Sequence, residues 1–296
     1  MTHAAETLPP ADRRSAFDNA PMGIALTTPS GILVDANPAL CRMLGRDPAE
    51  LRGRSVLDQV HAEDVTAARE AHTDLTTRRA GLLRHETRLV CADGSVVPAQ
   101  VTASWVGPSP AGDPPHLVMI VEDITERKQL EAALVHRSLH DPLTGLPNRI
   151  LFHDRLYHAL ERGYRERTPT CVLGIDLDGF KAINDEHGHP VGDQVLVTFA
   201  GRLTSVLRAS DTAARVGGDE FSIVCENSDR PDAEALAQRL RHSLTDPLEI
   251  GGSTIALGIS IGIGTVPGGT EPERAFDRLV READDAMYAD KSRRRR

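Results

Sequence analysis

The 296-residue chain carries 43 acidic against 34 basic side chains, a formal charge of −9 and an isoelectric point near 5.7. That balance excludes a broad polyanion-binding surface, of nucleic acid or of anionic lipid, and leaves any anionic ligand to be held locally. Cys41, Cys91, Cys171 and Cys225 are widely spaced with no C-x-x-C pair, so neither a disulfide framework nor a structural zinc site is indicated and a reducing cytoplasm is expected.

The length suits two domains of ordinary size. The opening stretch, MTHAAETLPPADRR, lacks the apolar core of a signal peptide, and residues 1–15 read as a flexible tail. No run approaches the roughly 20 apolar residues of a membrane span. From Phe17 to about Asp123, short β-like runs (GIALTT, GILVDAN, HETRLVCADGSVVPAQVTASWV, HLVMIVEDI) surround helical pieces such as PALCRMLG, an α+β pattern with mostly antiparallel strands. TERKQLEAALVHRSL is free of Gly and Pro and sets Leu130, Leu134 and Leu139 along one side, which predicts a connecting helix over 127–138. A solvated surface helix and a short dimeric coiled coil fit that stripe equally.

Helices and strands alternate from His140 onward: helix 148–163, strand 171–177, helices 180–186 and 193–208, hairpin 213–225, helix 232–244, strand 254–264 and helix 273–291. In RVGGDEFSIV the strands of the hairpin meet through Gly217 and Gly218, which suit a turn needing positive φ. The glycines do not explain Asp219 and Glu220. Their counterpart is CVLGIDLDGFKAINDEHGHPVGD, where the apolar run Val172–Ile175 enters Asp176 and Asp178 before a helix. If the two segments are neighbours, Asp176 and Asp219 converge, and crowded carboxylates repel unless a cation neutralises them. Magnesium, which takes oxygen ligands at about 2.1 Å and leaves positions for water and phosphates, is the natural partner.

Four ordered motifs, DPLTGLPNR (141–149), DLDGFKAINDEHGHPVGD (176–193), GGDEF (217–221) and ADDAMYADK (283–291), give residues 139–296 a resemblance to the GGDEF family of diguanylate cyclases. The resemblance implies a central mixed sheet flanked by helices, akin to nucleotidyl cyclases and the polymerase palm, and the condensation of two GTP into cyclic di-GMP with release of pyrophosphate. By matching position it makes Asp176, Asp219 and the Leu177 carbonyl ligands of Mg2+, with Mn2+ as a substitute. Glu220 is a further ligand or the group that helps deprotonate the attacking 3'-hydroxyl. Gly217 and Gly218 let the backbone approach phosphates. Asn184 and Asp193 read guanine, although alone they would pass for a helix-end residue and an N-cap. Lys181, Lys291 and Arg295 balance triphosphate charge, the last two also fitting a solvated basic helix end. The product is two-fold symmetric, so the resemblance implies a homodimer.

The stretch RASD (208–211) stands five residues before Gly217, at the family's product-inhibition position, which brings in Arg208 and Asp211 and, on the following helix, Arg239. A helix-end ion pair is the ordinary reading of R-x-x-D. Two departures from the family pattern stand out: KSRRRR replaces the usual glycine and asparagine after the lysine, and Gly174 replaces a bulkier residue. A literal EAL at 234–236 lies in a helix and implies no phosphodiesterase. A silent GTP or cyclic di-GMP receptor is the alternative to an enzyme.

Residues 16–126 resemble a PAS sensor domain through FDNAPMGIALTTPSGILVDANPALCRMLG, VHAEDV, DGSVVPAQVTASWV and VEDITERK. The reactive cysteine motif of flavin-adduct PAS domains is missing. Haem would need an inward histidine, for which His72 is the candidate, and a ligand-free dimerising module is the other reading.

Overall fold

The computed structural model describes residues 10–78, 81–109 and 112–294, and the chain divides into two compact units, Met1–Ala132 and Ala133–Arg296. Among the described residues no helix is long and apolar enough to cross a membrane.

The first unit runs α1 (Pro10–Asp18), β1 (Gly23–Thr27), β2 (Leu33–Ala36), α2 (Pro38–Leu44), α3 (Pro48–Leu51), a 3-10 turn (Val56–Gln59), α4 (Val65–Arg78), β3 (Leu82–Val90), β4 (Val96–Val106) and β5 (His116–Asp123). Its strands form one antiparallel sheet in the order β2-β1-β5-β4-β3. The start of α2 shows how the sequence sets local structure. Asn37 is fully buried; its Oδ1 accepts from Leu40 N at 3.0 Å, capping the helix, and from Ile24 N at 2.9 Å, while Nδ2 donates to the Phe17 and Met22 carbonyls. One amide thereby ties α2 to β1. Pro38, which lacks the N–H that a first helical residue does not need, follows it.

The boundary between the units falls inside α5 (Thr125–Leu139). The second unit continues α6 (Arg149–Glu166), β6 (Thr170–Asp178), α7 (Phe180–His187), α8 (His189–Ser205), β7 (Thr212–Arg215), β8 (Glu220–Glu226), α9 (Arg230–Ser243), β9 (Leu248–Ile250), β10 (Ser253–Ile255), β11 (Gly258–Val266) and α10 (Pro272–Arg294). The sheet order is β11-β6-β8-β7, and each pairing is antiparallel rather than mixed. Strand β6 is central and apolar on both faces because helices cover both. Cys171, Leu173, Ile175 and Leu177 join Phe199 of α8 and Leu240 of α9 in one core, whereas Val172 joins Leu156 of α6 and Leu279 of α10 in another. Phe199 and Phe221 meet edge to face with centroids 4.8 Å apart, and burying each such ring stabilises the fold by about 2–3 kcal/mol.

Helix α10 lies directly on β11. A Cβ at Gly262 would stand 2.0 Å from the Ala283 carbonyl, and one at Gly264 2.3 Å from that of Leu279, so any side chain there would push the helix off. Gly174, on the same face of β6, receives the Met287 thioether, and β6 runs unbroken through it; the missing bulk does not loosen the strand. The helix expected at 193–208 begins at His189, because Pro190 fits the first turn. The strand expected at 254–264 is split: Gly251 and Gly252, both at positive φ, close a β9–β10 hairpin before β11 begins at Gly258.

Candidate active site

Strand register decides which acids meet. Asp176 and Glu220 are direct partners across β6 and β8, and both stand on the sheet face covered by α10, since they alternate with the core residues Ile175 and Phe221. Asp219, one residue earlier, belongs to the 216–219 turn, and its carbonyl accepts from Leu177 N at 3.2 Å. The two acidic segments are therefore hydrogen-bonded neighbours at one end of the sheet, as the sequence required.

The turn itself is built differently from the expectation. Neither Gly217 nor Gly218 has positive φ; Val216 N and Gly217 N both donate to the Glu220 carbonyl, at 3.0 and 3.3 Å. A Cβ at Gly217 would lie 2.6 Å from Glu220 Oε2, where the carboxylate folds back over the turn, so a side chain there would displace that carboxylate. Gly218 faces open space.

Arg215, a residue that the motif search passed over, holds the turn. Its Nη2 and Nε donate to the Gly218 carbonyl at 2.7 and 3.1 Å, and its Nη1 lies 3.0 Å from Asp141 Oδ1, with both side chains largely buried. Asp141 opens the DPLTGLPNR stretch and also accepts from Thr144 N and Oγ1. Burial alone would raise the Asp141 carboxyl; the Thr144 hydroxyl and N–H and the Arg215 guanidinium outweigh it and hold the group below the usual carboxylate range. In the same stretch Asn148 caps α6 with Oδ1 and donates through Nδ2 and N to the carbonyls of Ser138 and Leu139, the last turn of α5. Arg215 N also donates to the carbonyl of Pro147 at 2.9 Å, so the 141–148 loop that Asn148 ties to the end of α5 is itself tied to the turn carrying Asp219.

On one side of that turn an open cleft of about 400 Å3 is lined by Phe180, Lys181, Asn184, Asp193, Gly218 and Asp219. Asn184 is inside α7 and Asp193 inside α8, so neither serves as the helix cap that its residue type suggests. Helix α7 starts after Gly179 with no side-chain cap, which leaves N–H groups of its first turn without helical partners beside Asp219 and Lys181.

Asp176 is 5% exposed, and Lys291 of α10 closes on it, with Nζ 2.6 Å from Oδ1 and 2.7 Å from Oδ2. Among the described residues no three His, Cys, Asp or Glu side chains gather into a metal cage. The donors present, the Asp176 carboxylate already facing a cation, Glu220 opposite it and Asp219 on the adjoining turn, are all oxygen and suit a hard divalent ion. Asp178 accepts from Ser260 Oγ at 2.6 Å, Ser260 being the β11 residue directly across from Asp176. Arg295 lies outside the described residues.

The candidate product site sits beyond the other end of α8. Arg208 N donates to Asp211 Oδ2 at 3.0 Å, Arg208 Nη2 is 3.7 Å from Asp232 Oδ1, and Arg239 Nη2 donates to the Val206 carbonyl at 3.2 Å. Burial first, and then the charge of Asp211, raises the Cys225 thiol, while Arg208 and Arg239 act in the opposite sense.

In the first unit an apolar cavity of about 70 Å3 lies between the sheet and its helices. Gln59 Oε1, His85 Nδ1 and Thr87 Oγ1 line it and have no hydrogen-bond partner. Burial lowers the His85 imidazole, which favours its neutral form. His72, the candidate haem ligand, also reaches the cavity wall, but its Nε2 is engaged with the Pro29 carbonyl at 3.0 Å. The sequence signal missed here was β3 itself, where Leu83, His85, Thr87 and Leu89 alternate toward the cavity.

A family model described as the diguanylate cyclase GGDEF domain matches residues 138–296, and one described as the PAS fold matches 33–121. The chain is 41% identical to the diguanylate cyclase TpbB of Pseudomonas aeruginosa over 166 residues, 55% of this chain and 38% of that protein. It is 36% identical to an uncharacterized signaling protein of Caulobacter vibrioides over 262 residues, 88% of this chain and 31% of the relative. The chain thus spans only about a third of the length of these curated relatives. Among solved structures, the coiled coil and GGDEF domain of DgcB from Caulobacter crescentus in complex with c-di-GMP is 27% identical. The match covers 56% of this chain and 87% of that one at a TM-score of 0.51.

Proposed function

The chain belongs to the diguanylate cyclase GGDEF-domain family, with a PAS fold preceding that domain, and from its site we propose that it condenses two GTP molecules into cyclic di-GMP. The observation that carries the reading is that the paired strand ends bearing Asp176 and Glu220 adjoin the turn whose Asp219 lines the cleft with Lys181, Asn184 and Asp193. The names of TpbB, a diguanylate cyclase, and of the DgcB complex with c-di-GMP support it.

In this reading Asp193 accepts from the guanine ring N–H and amino group while the Asn184 amide donates to and accepts from the same edge, a pattern adenine does not match. The free N–H groups at the start of α7, with Lys181 and Lys291, neutralise the triphosphate. Asp176 and Asp219, with the Leu177 carbonyl, hold Mg2+ or Mn2+, whose charge stabilises the in-line displacement at the α-phosphorus. Glu220 stands where it either completes that set or takes the proton of the 3'-hydroxyl. Each chain has one guanine-reading set, so two copies face each other, each supplying one nucleotide, and a monomer is inactive. Arg208, Asp211 and Arg239 take product and restrain turnover. The PAS unit regulates this through α5, the 141–148 loop and Arg215, with residues 16–126 as sensor and 127–138 as connector.

Incubating the full chain with GTP and Mg2+ and resolving nucleotides by chromatography tests the proposal. Cyclic di-GMP with pyrophosphate is the expected result; GTP or cyclic di-GMP binding without turnover marks a receptor, and no nucleotide binding at all overturns both.

A further inference from the structure

Asp176 has a problem that the proposed reaction does not address. A carboxylate this deeply buried is costly without a counter-charge. Its counter-charge is Lys291, whose ammonium contacts both oxygens. This is the bisecting approach of a cation, on the very group expected to ligate the metal. We propose that Lys291 is a tethered stand-in for the divalent ion: it occupies the Asp176 carboxylate in the metal-free protein and must leave before the ion can bind. The inference rests on the cyclase reading of this site and adds an order of events to it.

Three observations favour a displaceable partner over a fixed structural pair. Asp176 Oδ1 has Nζ 2.6 Å away yet no well-directed hydrogen bond, so the ammonium satisfies the charge but not the lone pairs of both oxygens. A spherical ion has no donor direction to misalign. Lys291 keeps about a quarter of its side chain exposed, which leaves it a path out. Helix α10 is seated on Gly262 and Gly264, so the lysine can leave by rotating its own four-carbon stem while the helix stays in place.

The released ammonium is then free to meet triphosphate oxygens. Metal and nucleotide consequently help one another: an ion that evicts Lys291 supplies a phosphate partner, and a phosphate that attracts Lys291 vacates a metal ligand. By linkage the two effects are equal in size.

The test is titration of the nucleotide-free full chain with Mn2+, following the free ion by electron paramagnetic resonance. Lys291→Gln and Lys291→Met are expected to bind Mn2+ about ten-fold more tightly than wild type, while Lys291→Arg, which keeps the charge, stays within about two-fold. Adding Asp176→Asn to Lys291→Gln removes the gain. Melting curves establish that each variant is folded. A measurement on the wild-type chain needs no variant: saturating Mg2+ is expected to raise the labelling of Lys291 by an amine-acylating reagent several-fold, read by peptide mass spectrometry. Unchanged Mn2+ affinity in the neutral variants, or labelling indifferent to Mg2+, overturns the proposal. Product formation by the same wild-type preparation separates the two ideas: cyclic di-GMP with unchanged metal affinity sinks the lysine alone, and absence of nucleotide binding sinks the cyclase reading.

Discussion

Gln59, His85 and Thr87 of the first unit line an apolar void with polar atoms that meet nothing, whereas Asp141, Arg215, Asp176 and Lys291 of the second meet each other in charged pairs. The two arrangements suit different tasks. A void with unpaired groups is a place whose stability an incoming molecule can change, because each satisfied group returns about 1–3 kcal/mol. Paired charges around a turn hold its geometry fixed, as the proposed reaction would require. The same contrast appears in how the units use arginine: Arg88 forks onto Asp64 to fasten a loop to β3, while Arg215 fastens the turn that carries Asp219.

The comparison breaks most visibly at the acids. Asp219→Asn is expected to lower the rate of cyclic di-GMP formation about 100-fold or more, while the melting of the first unit stays put by circular dichroism. Asn184→Ala or Asp193→Ala should act through nucleotide affinity instead, raising KM for GTP about 10- to 100-fold as buried polar contacts to guanine are lost. Arg215→Ala removes a guanidinium from a largely buried pair and should destabilise the second unit by about 2–3 kcal/mol in denaturant unfolding.

Acidity sharpens the contrast. Asp64 is held at about 2 by hydrogen bonds from the Arg88 side chain and backbone, so its contribution is complete above the unfolded carboxylate pKa of about 3.9 and is lost as pH falls through about 2. Asp64→Asn should melt lower than wild type at neutral pH, with the two curves converging in that acid window. Asp141 is depressed as well and loses its contribution in the same direction. The smallest effect runs the other way. Thr87→Val deletes an unpartnered hydroxyl at nearly constant volume and should stabilise the first unit by about 1 kcal/mol, seen as a rise of a few degrees in Tm.

These differences also explain what the sequence disclosed. The candidate site was legible because its acids sit at a turn and at strand ends, in short contiguous stretches such as GGDEF and DLDGFKAIND. That the two acidic segments are neighbours followed from those stretches, although Glu220 rather than Asp219 stands directly across from Asp176. Arg215 and Asp141 did not, because 74 positions separate them and an arginine before a glycine turn looks like any solvated charge. Spacing likewise misread the glycines of the turn: neither takes a positive φ, and while Gly217 lies against Glu220, Gly218 faces open space. The cavity polar groups were hidden for a simpler reason. His85 and Thr87 alternate with arginine and glutamate along β3, and only the fold says which parity faces inward.

Bare strand beneath α10 has a mechanical outcome. With the Ala283 and Leu279 carbonyls resting on Gly262 and Gly264, the helix has no side-chain cushion on which to roll or slide, and its azimuth is pinned where Lys291 projects. Even alanine at Gly262 would act as a wedge, lifting the tether's root and stranding the Asp176 charge without touching either member of the pair.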